Sequence, residues 1–169
     1  ISYVLAVEEI SKIDASVSVC MSVNNSLVCW GLETFGTEEQ KQKYLRPLAQ
    51  GVKDGELYIG AFLLSEPEAG SDATSQHTTA KDMGVHYLIN GTKNWITNGS
   101  TASVYLVMAQ NHPNQKSHGI NTLIIERDSP GVTVGGKENK LGIRGSDTTS
   151  VMFDNVKVPK ENRIGDDGF

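Results

Sequence analysis

The sequence predicts an α+β fold, a helical segment over residues 1–54 followed by an antiparallel, barrel-like β region over residues 55–169. Three observations carry this reading. Apolar residues in the first part recur at spacings that a helix sorts into faces, and Thr37 with Gln40 three residues on makes a capping box. From Glu56 onward the periodicity changes to about two. Gly, Asn, Asp and Pro then crowd between short apolar runs, as in an antiparallel barrel or sandwich.

The elements follow in order. Val4, Leu5, Val7 and Ile10, set against Glu8, Glu9 and Lys12, predict a helix over about residues 3–12. Asp14 is placed to cap a second, over about residues 15–35, whose nearly continuous apolar character predicts burial. Its Ser16-Val17-Ser18-Val19 alternation also fits a strand. Gly36 suits a C-terminal cap, and Thr37 opens a third helix whose dipole favours Glu38 and Glu39 in the first turn. That helix is expected to run to about residue 45, with Pro47 disrupting its last turn and Gly51 ending it. Strands are predicted at about residues 58–64, 76–81, 86–90, 93–96, 104–109, 120–126, 132–134 and 149–153. Asn90-Gly91 reads as a type I′ hairpin turn, and the region from Asn111 to Gln115 as an exposed loop.

Composition narrows the function classes. With 38% hydrophobic and 21% charged residues, the chain has the composition of a folded globular protein. A net charge of -5 offers no general attraction to nucleic acid or to an anionic membrane. No apolar run approaches the roughly 18 residues of a spanning helix, and no basic start followed by an apolar region marks a signal peptide. Cys20 and Cys29 lie in a helical stretch, which predicts no disulfide framework and a reducing compartment. His77, His86, His112 and His118 lack the paired spacing of a metal site, and no Ser, His and Asp set suggests a hydrolase triad. The chain starts at Ile1 and stops at Phe169, directly after a Gly-Asp-Asp-Gly turn signal, so a piece of a longer protein is expected.

The candidate site begins in Phe62-Leu63-Leu64-Ser65-Glu66-Pro67-Glu68-Ala69-Gly70-Ser71-Asp72, where an apolar strand breaks into a turn. Pro67 fixes its own φ and biases Glu66 towards an extended conformation. Gly70 permits unusual backbone angles and close approach of a ligand, and successive N–H groups at Ser71 suit an anion. The competing reading is an ordinary strand exit with a cap at Ser71-Asp72.

A second stretch, Tyr87-Leu88-Ile89-Asn90-Gly91-Thr92-Lys93-Asn94-Trp95-Ile96-Thr97-Asn98-Gly99, changes the balance. Together the two resemble the middle domain of the acyl-CoA dehydrogenase family. Met21 to Leu27, Phe35 to Lys41, Lys140 to Ser146 and Phe153 to Pro159 fall in that family's order, so the resemblance covers essentially the whole chain. It is strongest to the short-chain, butyryl-CoA type, through Met-Ser-Val-Asn-Asn-Ser-Leu, the Leu-Ser-Glu-Pro form of the first motif and Lys-Leu-Gly-Ile-Arg-Gly-Ser.

The resemblance implies that residues 1–54 end an N-terminal all-α domain, that residues 55–169 form a middle β domain binding FAD and acyl-CoA, and that a C-terminal helical bundle lies outside the chain. By the same resemblance, Phe62, Leu63, Leu64, Ser65, Gly70, Ser71, Trp95, Ile96 and Thr97 bind FAD. Leu64 and Ser65 face the pyrimidine edge of the isoalloxazine, where hydrogen bonds favour the reduced form. Thr97 lies near N5 and Trp95 beside the ring, the alternative for Trp95 being a hairpin tryptophan that covers the core. Ser71 sits near the pyrophosphate and the substrate's pantetheine arm. Glu68 departs from the family pattern, which has a small residue there, and is expected to point to solvent. Arg144, in a glycine-flanked loop, reads better as a surface turn than as an anion contact.

The activity implied is oxidation of a short-chain acyl-CoA to the trans-2-enoyl-CoA, in fatty-acid oxidation or butyrate metabolism, with electrons passed to an electron-transferring flavoprotein. A homotetramer is expected, in the cytoplasm or in the mitochondrial matrix of a eukaryote. No residue of the chain is assigned as catalytic, because in the family a carboxylate of the C-terminal domain takes the α-proton. That domain and a neighbouring subunit complete the FAD pocket in the family, so the chain alone is expected to be inactive. Three rival readings are an acyl-CoA oxidase-like flavoenzyme, a nucleic-acid-binding relative that keeps the barrel, and a β-domain binding module without cofactor.

Overall fold

The computed structural model describes residues 1–168; Phe169, the last residue of the expected β region, and the side chain of Asn114 lie outside the described residues. Helix α1 spans Ser2–Ile13 and buries no residue. Asp14 then turns extended and its carboxylate accepts from Ser16 N at 2.7 Å, capping α2, Ala15–Phe35. The cap is where the sequence put it, and the alternation from Ser16 to Val19 is helical.

The polarity of α2 is the reverse of a buried apolar helix at its start. Ser16 and Ser18 are buried while Val17 is exposed. Ser18 Oγ accepts from Ser11 Oγ at 2.8 Å and donates to Val7 O at 3.3 Å, so hydroxyls join α1 to α2. By length and composition α2 is long and apolar enough to cross a membrane, which corrects the expectation that no run is. In the fold, its Val28 and Leu32 pack with Tyr44, Leu48, Val104 and Leu106. Val23–Cys29 within it adopts π-helical turns. There Asn24 reaches the sheet, its Oδ1 accepting from Gly60 N at 2.9 Å and its Nδ2 donating to Leu48 O at 3.2 Å. Gly60 permits that approach, since a Cβ on it would lie 2.5 Å from Val28 Cγ1.

The third helix, α3, covers residues 38–50 and opens with the Thr37–Gln40 capping box. It does not stop near residue 45. Lys41–Leu45 is a wide π-helical segment, which accommodates the proline ring one turn later, and the helix passes Pro47 to Gln50 before Gly51 ends it at φ 71. Gln40 Nε2 donates to Glu161 O at 2.7 Å and Arg163 O at 2.8 Å, pinning α3 to the far end of the sheet.

A two-stranded ribbon, β1 (Val52–Lys53) and β2 (Glu56–Leu57), follows. The main sheet holds β3 (Gly60–Leu63), β4 (Thr79–Asp82), β5 (His86–Thr97), β6 (Val104–Gln110), β7 (Ile120–Glu126), β8 (Val132–Lys137), β9 (Thr148–Pro159) and β10 (Arg163–Ile164). Its order is β10-β7-β6-β4-β5-β9-β8, with β3 also paired to β6. The expected antiparallel barrel is not what forms. Both β3 and β4 run parallel to β6, and the path of strands does not close, so the sheet is mixed. Parallel neighbours need a long crossover, and the segment carrying β4 and β5 between β3 and β6 supplies one.

The hairpin at Asn90-Gly91 is absent. Strand β5 runs through both residues as one 12-residue element against the equally long β9, and the dipeptide faces a bulge in that partner, where Asp154 and Asn155 (φ 52) lie opposite Asn90 between the Ile89 and Gly91 pairs. Asn90 Oδ1 accepts from Asn155 N at 2.8 Å across it. Gly91 takes φ 146, and a Cβ there would lie 2.6 Å from Thr78 Cα. The glycine serves a close crossing of the chain entering β4. The predicted 93–96 strand is thus the end of β5, and β9 continues well past residue 153. One core, including Leu63, Ile89, Ile96, Tyr105 and Val151, lies on one side of the sheet, and the helices cover the other.

Candidate functional site

Where β3 ends, Leu63 is buried in the core and the chain continues into half-buried Leu64 and Ser65. Glu66 N donates to Ala69 O at 2.9 Å and Ala69 N to Glu66 O at 3.3 Å, closing a tight turn about Pro67-Glu68. The Glu66 carboxylate folds inward instead of outward. It accepts from His77 N at 2.5 Å, Thr78 N at 3.0 Å and Lys93 Nζ at 2.8 Å. Burial alone would raise its pKa, but bonds from Lys93, Thr78 and His77 outweigh this and hold it below the ordinary carboxylate value. Burial pulls the Lys93 ammonium down, with Glu66 opposing.

The outer part of the turn is open. Glu68 points to solvent as expected, its Oε2 3.1 Å from His77 Nδ1. Gly70 is exposed and does not adopt a left-handed φ, so its expected conformational role is not used. A Cβ there would meet nothing within 4 Å, and what the position offers is room. Ser71 is exposed. Asp72 stands at the N-terminus of the short turn Ala73–Ser75 but makes no capping bond to its backbone; its carboxylate accepts instead from Thr74 Oγ1 at 2.8 Å and Ser75 Oγ at 2.5 Å.

Strand β5 brings the second motif to this turn. Asn94 N donates to Ser65 O at 2.8 Å. The register slips between Lys93 and Ile96, and within that bulge Trp95 takes φ 60 with 62% of its surface exposed. A bulky residue in the left-handed region is strained, and bulges of this kind re-aim side chains. Trp95 therefore does not cover the core. Ile96 does, being 2% exposed, so its side chain and that of Leu63 face away from any surface ligand. Thr97 is half-buried opposite Thr148, and its hydroxyl makes no hydrogen bond to the described residues. The Phe62 side chain lies on the helical side, where with Leu27, Trp30, Leu106 and Met108 it lines a cavity of 230 Å³. The strand carrying Trp95 and Thr97 thus meets the Leu64–Ser65 segment through Lys93 and Asn94, Gly70 and Ser71 extend the same turn, and Phe62, Leu63 and Ile96 direct their side chains elsewhere.

The turn after Thr97 is anchored firmly. Asn98 Nδ2 donates to Cys20 O and Gly60 O, both at 3.2 Å, and Asp147 accepts from Ser100 N and Ser100 Oγ at 2.7 Å and from Thr101 Oγ1 at 3.1 Å. Burial would raise the pKa of Asp147, but the Ser100 and Thr101 bonds bring it below its ordinary 3.8. A lowered pKa means stabilisation that is complete above the unfolded value and lost as pH falls through the folded one. Asp147→Ala is expected to lower stability by about 2 kcal/mol at neutral pH, a difference that shrinks below about pH 4. Urea midpoints of both proteins from pH 7 to pH 2.5 check this; a difference independent of pH would contradict it.

Sequence reasoning missed Lys93 and Asp147. Lys93 shares its strand parity with buried Tyr87 and Ile89, so the period of two already placed it inside. Asp147 gave no comparable signal. Arg144 donates to Leu141 O at 2.8 Å within its own exposed loop, the surface-turn reading.

The acyl-CoA dehydrogenase N-terminal domain profile matches residues 1–52, and the acyl-CoA dehydrogenase middle domain profile matches residues 61–156. An acyl-CoA dehydrogenase of Bacillus subtilis (strain 168) is 48% identical over 168 residues, 99% of this chain and 43% of the relative. Butyryl-CoA dehydrogenase from Megasphaera elsdenii superposes with a TM-score of 0.94 at 45% identity, again over 99% of this chain and 43% of that one. A chain in the structure of the electron transferring flavoprotein of Acidaminococcus fermentans, described for flavin-based electron bifurcation, gives 0.92 at 46% identity with the same coverage, 99% and 43%. The chain therefore spans 43% of the length of these relatives.

Proposed function

This chain belongs to the acyl-CoA dehydrogenase family, and on that premise we propose that residues 1–54 and 55–169 are the end of the N-terminal helical domain and the middle β domain of a flavoprotein that oxidises a short-chain acyl-CoA to the trans-2-enoyl-CoA. The observation that carries the reading is the β5 bulge, which leaves the Trp95 side chain exposed and the Thr97 hydroxyl without a partner among the described residues, on the strand that bonds the Leu64–Ser65 segment through Lys93 and Asn94.

The residues fit FAD. Ser65 and Thr97 provide hydrogen-bonding groups for a heteroaromatic edge, Trp95 provides an exposed aromatic face, and Gly70 leaves space beside the main chain. When bound, FAD supplies the acceptor for the hydride that leaves the substrate's β-carbon. Leu64 and Ser65 would hold the pyrimidine edge, where fixed donors favour the negative charge that reduction brings. The Thr97 hydroxyl would hydrogen-bond near N5, and Trp95 would shield the ring from water. Leu63 and Ile96 contribute backbone, their side chains being committed to the core, and Phe62 supports the strand from the helical side. Gly70 and Ser71 would receive the pyrophosphate, with Ser71 also meeting the pantetheine arm.

No carboxylate of this chain is assigned removal of the α-proton. We assign that step to the C-terminal helical domain of the full-length protein, and reoxidation to an electron-transferring flavoprotein. A homotetramer, cytoplasmic or in the mitochondrial matrix, completes the reading. The test is the visible spectrum of the full-length protein without oxygen. Addition of butyryl-CoA is expected to bleach the flavin band; a band that persists with butyryl-CoA and with longer acyl-CoAs would overturn the assignment. Rapid oxygen uptake by the reduced protein would indicate an oxidase instead.

A further inference from the structure

Lys93 is fully buried, and its ammonium is spent on three acceptors, Leu64 O at 3.0 Å, Glu66 Oε1 at 2.8 Å and Gln76 Oε1 at 2.9 Å. An ammonium has three donors, so none is left for a ligand. A buried ion pair is little better for stability than apolar residues of the same volume. Two bonds reach outside the pair, to the Gln76 side chain and to the Leu64 carbonyl, and of these only the second holds main chain of the candidate flavin turn.

We infer that Lys93 is a positioning residue for the flavin edge, acting through the Leu64 carbonyl; the inference rests on the flavoprotein reading above. No peptide bond among the described residues is cis. In a planar trans peptide the C=O and N–H point to opposite sides, so fixing Leu64 O on Lys93 turns the Ser65 N–H away from it. The next peptide is fixed from the same strand, by Asn94 N on Ser65 O at 2.8 Å. Two consecutive residues of β5 thus set both peptides of the turn, immediately before Trp95 and Thr97. The ammonium also polarises the Leu64–Ser65 peptide, which makes Ser65 N–H a stronger donor. A stronger donor at the pyrimidine edge favours reduced flavin over oxidised.

The Lys93→Met variant alone strands the Glu66 carboxylate and is a poor test, because loss of folding would mask the effect. The Lys93→Met/Glu66→Gln double variant of the full-length flavoprotein leaves no buried charge at either position. Its thermal midpoint and flavin content report folding, and its flavin midpoint potential, from anaerobic dye titration, reports positioning. We expect the double variant to retain FAD and to shift the reduced-to-oxidised ratio at a given potential about tenfold towards oxidised, a fall of about 30 mV for a two-electron couple. Its kcat should fall while KM for butyryl-CoA changes little. A folded, FAD-loaded double variant with the unsubstituted protein's potential would overturn the inference and leave Lys93 a structural residue. Absence of flavin from the unsubstituted protein would instead bring down the reading on which the inference stands.

Discussion

Replacing Glu66 with leucine is expected to lower stability by about 3–5 kcal/mol, the range for removing one partner of a buried ion pair. Leucine fills much of the same volume, so packing is not the main loss. The Lys93 side chain, with 0% of its surface exposed, keeps its ammonium but loses the carboxylate, and His77 N and Thr78 N lose their acceptor. Each stranded donor carries its own desolvation penalty. Adding Lys93→Met to the same protein removes the stranded charge and should recover much of the loss. The urea midpoints of the two variants decide the matter. A single-variant loss below about 1 kcal/mol would mean that water reaches the pair.

Gly91→Ala is expected to lose about 4 kcal/mol, from a strained dihedral combined with overpacking. At φ 146 the added Cβ would sit 2.5 Å from Thr78 Oγ1 and 2.6 Å from Thr78 Cα, and a backbone atom cannot rotate aside. Thr78 N is also a donor to Glu66, so the displacement reaches the buried pair and the turn it supports. Gly84→Ala is the matching control. Gly84 has φ 86 but nothing within 4 Å of an added Cβ, which limits the loss to about 1–2 kcal/mol for the dihedral alone. Equal losses at the two positions, by chemical denaturation, would show that contact with Thr78 contributes nothing.

The same dipeptide shows where sequence reasoning reached its limit. Asn-Gly favours a type I′ turn locally, yet at Asn90-Gly91 the competing option was a ladder along the whole of β9, some 60 residues away. That non-local pairing won, and the dipeptide became mid-strand residues opposite a bulge in β9. A tight turn of the expected kind does form at Asp54-Gly55, with φ 54 and 83, between β1 and β2, where no longer partner competes. The parallel pairing of β3 with β6 was hidden for a related reason, since local alternation does not reveal strand direction.

Signals that depend on a few adjacent residues were legible: the Asp14 cap, the Thr37–Gln40 box, the Gly51 stop and strand Ile120–Glu126. At the candidate site, the break after Leu63 was visible, and the strain at Trp95 was not, because nothing in the residues announces a bulge there. Gly70 was read both as a conformational device and as room beside the main chain, and the structure shows only the room. Lys93 was overlooked because a strand lysine usually faces water, although its parity with Tyr87 and Ile89 pointed inward.

The most direct test of the flavin face is a structure of the full-length protein with FAD bound. The account predicts an isoalloxazine ring within hydrogen-bonding distance of Ser65 N and Thr97 Oγ1, with the Trp95 indole alongside. A ring seated elsewhere, such as in the cavity that Phe62 lines with α2, and without contact to Ser65 or Thr97, would contradict it.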